Sequence, residues 1–535
     1  MPKLFRAGMW LIAAGFFIAP LYLVVGLALG GNQIPVLIES GLGRAAWNSF
    51  YSTLLSSLFA VVVGTLAAVI VERTTIAGAH VARLLLLSPL LVPPFVGAIA
   101  WLQLFGRNQG FNAIFDRPIW NIYGADGVIF LLTLHAYPIV YVIMAAALRK
   151  IPRDLELAAR LSGSDTWTTL RTITLPLVRP ALLSAFTLTF VSNLGDFGIP
   201  ALVGSPARFE TLATMVYRFV ESGTVPNPLQ VVSTIGVVLL VMGILAVIAD
   251  YIVAERAASS GTNAGAPLRF ELGAATWPVT VATWITGLAV TLLPVGGLIY
   301  RALLPAPGVP LTWETLTWRN FERTLQNPRV IDGFANSLWM SLTAAVLCGV
   351  LGWLIGILVT RTISRDNTLL TLVTLLPTAL PGLIIGVGWL IISRYTGTYN
   401  TPWIILAAYL CAYTATVLQA VRAPLKSTPL AMEEAARISG AGPLRAIFNT
   451  SGAMAIPAAV SGAVLVAVTA IRELTVSVLL IAPGTTTLGV QLFNLQQAGN
   501  YNQASALAFM FTLGGLIVLV LASAGISRGS ASARR

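Results

Sequence analysis

Charge is what this sequence has least of. Only 10% of its 535 residues are Asp, Glu, Lys or Arg, against about 25% in ordinary soluble domains, while 56% are hydrophobic. No soluble fold hides that much apolar side chain, so most of the solvent must be lipid. Cysteine is nearly absent. Cys348 and Cys411 both fall inside apolar runs, which excludes a disulfide framework and a cysteine-based metal site. Histidine is as rare: His80 lies in a connection, and His135, alone in an apolar run, reads as a packed side chain rather than a ligand. With no His cluster, metal spacing or nucleophile–base constellation, neither a metal site nor a catalytic site is expected. The Gly-x-x-x-x-Gly-Lys-Ser/Thr loop is also missing, which excludes that nucleotide site. The net charge of +12 forms no basic stripe with interleaved aromatics, so nucleic acid is not an expected partner.

What is present is a series of apolar runs of about 20 residues, the length that crosses a hydrocarbon core. They lie near 9–30, 49–71, 84–104, 128–148, 180–203 and 230–253, then near 276–300, 336–360, 369–392, 403–421, 457–482 and 504–526. The first follows a basic head but is longer than a signal core and has no clear cleavage site, so it reads as a retained span. With the N-terminus inside, the cytoplasmic segments carry 21 Lys and Arg and the opposite side ten, with Arg472 within a span. That bias predicts both termini in the cytoplasm.

The chain also repeats itself. "NSFYSTLLSSLFAVVVGTLAAVIVERT" from Asn48 matches "NSLWMSLTAAVLCGVLGWLIGILVTRT" from Asn336 at an offset of 288, with Gly64 on Gly352 and Arg73 on Arg361. Pro89 and Pro93 fall on Pro377 and Pro381, where they are expected to kink the third span of each half. Further on the offset becomes 277, so that Leu155–Gly163 lies over Met432–Gly440. The fold predicted is an all-α membrane protein of about twelve transmembrane helices in two parallel six-helix repeats. The modules are residues 1–253 and 276–535, joined by a small, polar cytoplasmic linker over 254–275.

Between the fourth and fifth spans of each half lies a polar, helix-forming insert. In the first, Asp154 and Glu156 suit a helix start, Ala158 and Ala159 permit close approach, Gly163 suits a left-handed end, and Asp165 can cap a second short helix. The second repeats this with Glu433, Glu434, Ala435, Ala436, Gly440 and Gly442-Pro443. One such hairpin is as compatible with a structural connection as with a docking element. Two at matched positions suggest two equivalent partners.

The pattern Glu-Ala-Ala, three residues, Gly, then Ile-x-Leu-Pro resembles the ATPase-docking loop of bacterial ABC importer permeases, the inner-membrane components that work with a solute-binding protein. The resemblance covers essentially the whole chain, twice. It implies coupling roles for Glu156, Ala158, Ala159, Gly163, Ile173 and Pro176, and for Glu433, Glu434, Ala435, Ala436 and Gly440. Two departures stand out: Leu157 occupies the register of Glu434, and Gly452-Ala453 replaces Leu175-Pro176. The resemblance further implies two copies of an ABC ATPase on the cytoplasmic side, carrying the ATP and Mg, and an external solute-binding protein. The chain itself would bind no cofactor and would sit in the bacterial inner membrane.

Charges inside spans cost about 2.5–3.5 kcal/mol near a helix centre and default to functional readings. Asp196 falls on Glu473 at the offset of 277, and Arg472 adjoins it. These residues either line a path or gate, or pair with an arginine or sit at the outer interface. For substrate, "GDFGIPALVG" and "RELTVSVLLIAPGTTTLGVQLF" in a fused chain look most like ferric-iron uptake permeases. Relatives of that design move thiamine, phosphonates or sugar phosphates. An ion-coupled secondary transporter is the rival from another class; it would not need paired docking loops.

Overall fold

The structure is a computed structural model, and it describes residues 3–107, 110–114, 119–223, 225–255, 269–306, 309 and 312–514. Residues 256–268 of the expected linker and 515–526 of the last apolar run lie outside that set, as does the C-terminal end. The described chain is helical, with no named strand and one isolated bridge, Thr74 to Phe270. Apart from shorter turns, the helices run in order: α1 (Leu4–Leu29), α2 (Leu42–Arg73), α3 (Ala79–Leu87), α4 (Pro94–Phe105), α5 (Ala125–Arg149), α6 (Arg153–Leu161), α7 (Arg179–Leu194), α8 (Leu212–Ser222), α9 (Pro228–Glu255), α10 (Thr276–Ala302), α11 (Pro328–Arg361), α12 (Asn367–Leu375), α13 (Gly382–Thr396), α14 (Pro402–Ser427), α15 (Leu430–Ile438), α16 (Ala453–Ala470) and α17 (Leu488–Gln497). A last helix occupies 501–514.

Among the described residues eight helices are long and apolar enough to span a membrane, and three bent pairs raise the number to eleven, against twelve expected. The twelfth run continues past residue 514, beyond the described set. The third run of each half is more than kinked: α3 meets α4 at 102°, and α12 meets α13 at 104°. The cause is local. A residue before proline is driven out of the helical region, and Val92 before Pro93 (ψ 128°) and Leu380 before Pro381 (ψ 142°) are both extended. The prolines break these runs rather than bend them.

The long helices are built inside out. On α2 the buried face is Ala45, Ser49, Ser52, Ser56, Ala60, Gly64 and Ala68, while Leu58, Phe59, Val62 and Leu66 point outward. Small residues inside let helix backbones approach closely, and the large apolar ones are left for lipid. A Cβ on Gly64 would stand 2.6 Å from the Tyr137 carbonyl oxygen and 2.7 Å from the Val140 Cβ, so α2 and α5 touch there. On α11, Gly352 makes the same kind of contact, 2.7 Å from the Val417 Cβ of α14.

Two compact units emerge, interleaved along the chain. One comprises Met1–Leu42, Met215–Gly243 and Leu325–Asn494, and its core is α11, α14 and α16 packed on one another. Phe17 of α1, Cys348 and Cys411 are buried in that core, and both thiols are free. The α1 helix packs on α13, where a Cβ on Gly388 would lie 2.7 Å from Pro20. The other unit comprises Gly43–Thr214, Ile244–Thr324 and Leu495–Arg535, with α2, α5 and α7 at its centre and α10 packed on α3 and α4. Each half's first span thus joins the unit built mainly from the other half.

Candidate functional site

The two polar inserts fold as paired hairpins. Helix α6 ends at Gly163 (φ 87°), where Gly163 N donates to the Arg160 carbonyl and Ser164 N to that of Ala159, both at 3.0 Å. Helix α15 ends the same way at Gly440 (φ 91°), with Gly440 N donating to Arg437 and Ala441 N to Ala436. This is the Schellman closure, in which a left-handed glycine satisfies the last carbonyls. Asp165 then caps the next short helix by accepting from Thr168 N at 3.0 Å, and the Thr168 hydroxyl together with that N–H lowers its carboxyl pKa below its ordinary value. In both hairpins the return segment makes a single π turn, Leu170–Thr174 and Phe448–Gly452. Beyond that turn the copies differ: the first breaks after its Leu-Pro, with Thr166–Leu177 meeting α7 at 61°, whereas the second, which lacks the Leu-Pro, runs from Pro443 to Ala470 as one helix.

Each hairpin is fastened to its unit by a buried ion pair. Glu156 and Arg73, the last residue of α2, are both fully buried and paired. Arg73 Nη1 donates to the Leu148 carbonyl near the end of α5 at 3.1 Å, and Thr174 Oγ1 donates to Glu156 Oε1 at 2.7 Å. In the other unit Arg361, at the end of α11, sits 2.8 Å from Glu433 and donates at 2.8 Å to the Thr428 carbonyl after α14. Ser451 donates to Glu433 from the position that Thr174 holds in the first copy. The residue matching Glu156 is therefore Glu433, buried, whereas Glu434 is exposed. Sequence reasoning singled out the carboxylates but not their partners. The signal was there: Arg73 and Arg361 coincide at the first offset, and Thr174 and Ser451 at the second. The first copy has one further contact, since the Phe270 ring lies 5.4 Å from the Arg73 guanidinium and 5.1 Å from that of Arg160.

With the carboxylates turned inward, the hairpins present apolar side chains outward. Leu161 and Ile438 are each 89% exposed at matched positions, and Leu155 and Met432 are exposed at another matched pair. Ala158 and Ala435 are exposed, Ala159 and Ala436 half-buried, Ile173 and Pro176 half-buried on the return segment.

Asp196 and Glu473 lie elsewhere, each in the break that follows α7 or α16. Asp196 accepts from Ile199 N at 2.9 Å and Glu473 from Ser477 N at 2.9 Å. Both thus cap a turn by accepting from backbone N–H groups that have no partner within the helix, a role that Ser, Thr and Asn also fill. Arg472 Nε donates to the Val468 carbonyl at 3.0 Å. Among the described residues no group of three or more His, Cys, Asp or Glu could hold a metal ion.

Two fused modules of membrane-spanning helices, each with one polar hairpin, match a described class. The binding-protein-dependent transport system inner membrane component matches residues 60–259 and 349–527, and the chain belongs to that family as a fused two-module permease. A ferric transport system permease protein, FbpB, of Actinobacillus pleuropneumoniae is 24% identical over 500 residues, covering 89% of this chain and 69% of the relative. A putative ferric transport system permease protein, FbpB 1, of Haemophilus influenzae is 25% identical over 386 residues, 68% of this chain but only 58% of that relative. A probable molybdenum ABC transporter permease of Haloferax volcanii is 32% identical over 203 residues, covering 37% of this chain and 74% of its own length.

Proposed function

We propose that this chain is the permease of an ATP-driven importer that takes a solute from a binding protein into the cytoplasm. Its twelve spans form two parallel six-helix repeats in a bacterial inner membrane, with both termini and both hairpins on the cytoplasmic side. Two copies of an ABC ATPase, holding the ATP and Mg, seat on the two hairpins. A solute-binding protein docks on the opposite face. The observation that carries this is the matched exposure of Leu161 and Ile438 on hairpins anchored from behind by Glu156 and Glu433. An ion-coupled carrier has no use for two such elements.

ATPase closure then moves the hairpins and the spans behind them, and the breaks at Asp196 and at Arg472-Glu473 line the path or its gate. The substrate is ferric iron, a reading supported by ferric relatives that cover most of the chain. The same importer class acting on thiamine, phosphonate or sugar phosphate is the second reading for cargo. Leu161→Asp and Ile438→Asp test the docking. Together they should lower co-purification of the ATPase at least tenfold, and recovery at wild-type levels would remove the docking role.

A further inference from the structure

The repeat was most legible in the segments opening "NSFYST" and "NSLWMS", and docking leaves those openings unused. They begin just before the membrane-spanning parts of α2 and α11, at the ends opposite the hairpins. There Asn48 Nδ2 donates to the Glu210 carbonyl at 2.9 Å, and Leu212 N donates to Ser49 Oγ at 2.8 Å. In the other unit Asn336 Nδ2 donates to the carbonyls of Gly484 and Thr486 at 2.9 and 3.1 Å, and Leu488 N donates to Ser337 Oγ at 2.8 Å. These acceptors and donors lie at the starts of α8 and α17 or in the few residues before them, downstream of the breaks that hold Asp196 and Glu473 and separated from those breaks by short helical turns.

Each long helix is therefore held at both ends. At one end a buried arginine joins it to the hairpin carboxylate and to the end of the preceding span. At the other, an Asn-Ser pair joins it to the backbone that follows the broken fifth span. Between the pins, Asn48 to Arg73 on α2 and Asn336 to Arg361 on α11, each rod is unbroken helix, about 38 Å long at 1.5 Å per residue. Neither helix has a proline in its interior, and α2 and α11 are the longest helices described. A hydrogen-bonded helix resists bending unless proline, a bulge or an inserted group interrupts it. Such an element carries displacement from one end to the other.

We propose that α2 and α11 are transmission rods, each pinned to its hairpin by Arg73–Glu156 or Arg361–Glu433 and, at the other end, to the backbone at the start of α8 or α17 by Asn48-Ser49 or Asn336-Ser337. The inference rests on the importer reading for what moves the hairpin, but the mechanical link belongs to the chain alone. It assigns positioning roles to Arg73, Arg361, Asn48 and Asn336, none of which touches substrate. An energetic route between distant places needs evidence of coupling and not only of contact, so the test is built on paired perturbations.

One variant replaces both ion pairs by apolar pairs, Arg73→Met with Glu156→Leu and Arg361→Met with Glu433→Leu, which leaves no buried charge behind. A second carries Asn48→Ala and Asn336→Ala, and a third combines the two. Thr174→Val, which removes only the hydroxyl on Glu156, stands in for the first should it fail to fold. In vesicles with the ATPase and binding protein, the first two variants should keep the ATPase bound but lower uptake per ATP hydrolysed about tenfold. The combined variant should be no worse than the poorer of them, because both cuts sever one rod. Losses that multiply, or uptake per ATP at wild-type level in either variant, would overturn the rod. Hydrogen exchange on the chain without partners gives a reading independent of transport. Cutting the ion pairs should raise exchange several-fold at 210–212 and 486–488, and unchanged exchange there refutes the rod whatever the cargo. Absence of ATP-dependent uptake in the wild type would count against the importer reading instead.

Discussion

Replacing Glu433 by alanine cuts an ion pair whose side chains are only 5% and 11% exposed, with 2.8 Å between Arg361 Nε and Glu433 Oε1. At that separation the attraction in an effective dielectric of about 20 is roughly 6 kcal/mol. Desolvating the two ions takes back several kcal/mol for each, so the intact pair contributes little net stability. Removing one partner is another matter. Arg361 keeps its buried charge with only the Thr428 carbonyl and Ser451 hydroxyl to receive it, at a cost of about 3–5 kcal/mol. Arg361→Met should cost as much, because Glu433 would be left with a single hydroxyl donor. The double variant, with leucine at 433 and methionine at 361, should return close to wild type. Heating the purified chain in nanodiscs and measuring the monodisperse fraction would show this. At about 2–4 °C per kcal/mol, each single variant should lose about 6–20 °C. Single variants at the wild-type midpoint, or a double variant that loses the sum of the two, would refute the reasoning.

Other consequences are as definite. Gly64→Val and Gly352→Val insert side chains where even a Cβ meets its neighbour at 2.7 Å or less, so each should destabilise by about 1–3 kcal/mol or more, read as a lower midpoint in the same heating assay. Phe270→Ala removes a ring between two guanidinium groups; exchange should rise in α6 and stay unchanged in α15, which has no such cover among the described contacts. Asp366 accepts from Ser364, Trp10 and Arg6, which hold its carboxyl well below the usual range. Because the folded value lies below the unfolded one, its contribution is complete above the ordinary carboxylate value of about 4 and is lost as pH falls further. Asp366→Asn should therefore loosen the start of α1 at pH 7, and the difference from wild type should vanish in strong acid, read as faster hydrogen exchange around Arg6 and Trp10.

Much of this was legible in the sequence because it rests on local chemistry. Hydropathy marked the spans, and Gly163 and Gly440 marked helix ends because a left-handed residue is needed there. Asp165 was legible as a cap from its position before Thr166. Less legible were features decided at a distance. Nothing in the composition of α1 says that it packs on α13 rather than on α2, since a helix apolar all round has no preferred face. The carboxylate of Glu156 looked suited to a helix dipole, but its partner lies 83 residues earlier at the end of another helix. The right-angle breaks at Pro93 and Pro381 were visible as prolines. Their size depended on Val92 and Leu380 adopting extended backbone just before them.

The most direct measurement is uptake of labelled Fe(III) by vesicles that hold this chain with its ATPase and a solute-binding protein, with and without ATP inside. The account predicts accumulation that requires both ATP and the loaded binding protein and that is abolished by Leu161→Asp with Ile438→Asp. ATPase activity stimulated by the binding protein without iron uptake would keep the importer and move the cargo to thiamine, a phosphonate or a sugar phosphate. Uptake indifferent to ATP would contradict the account at its centre.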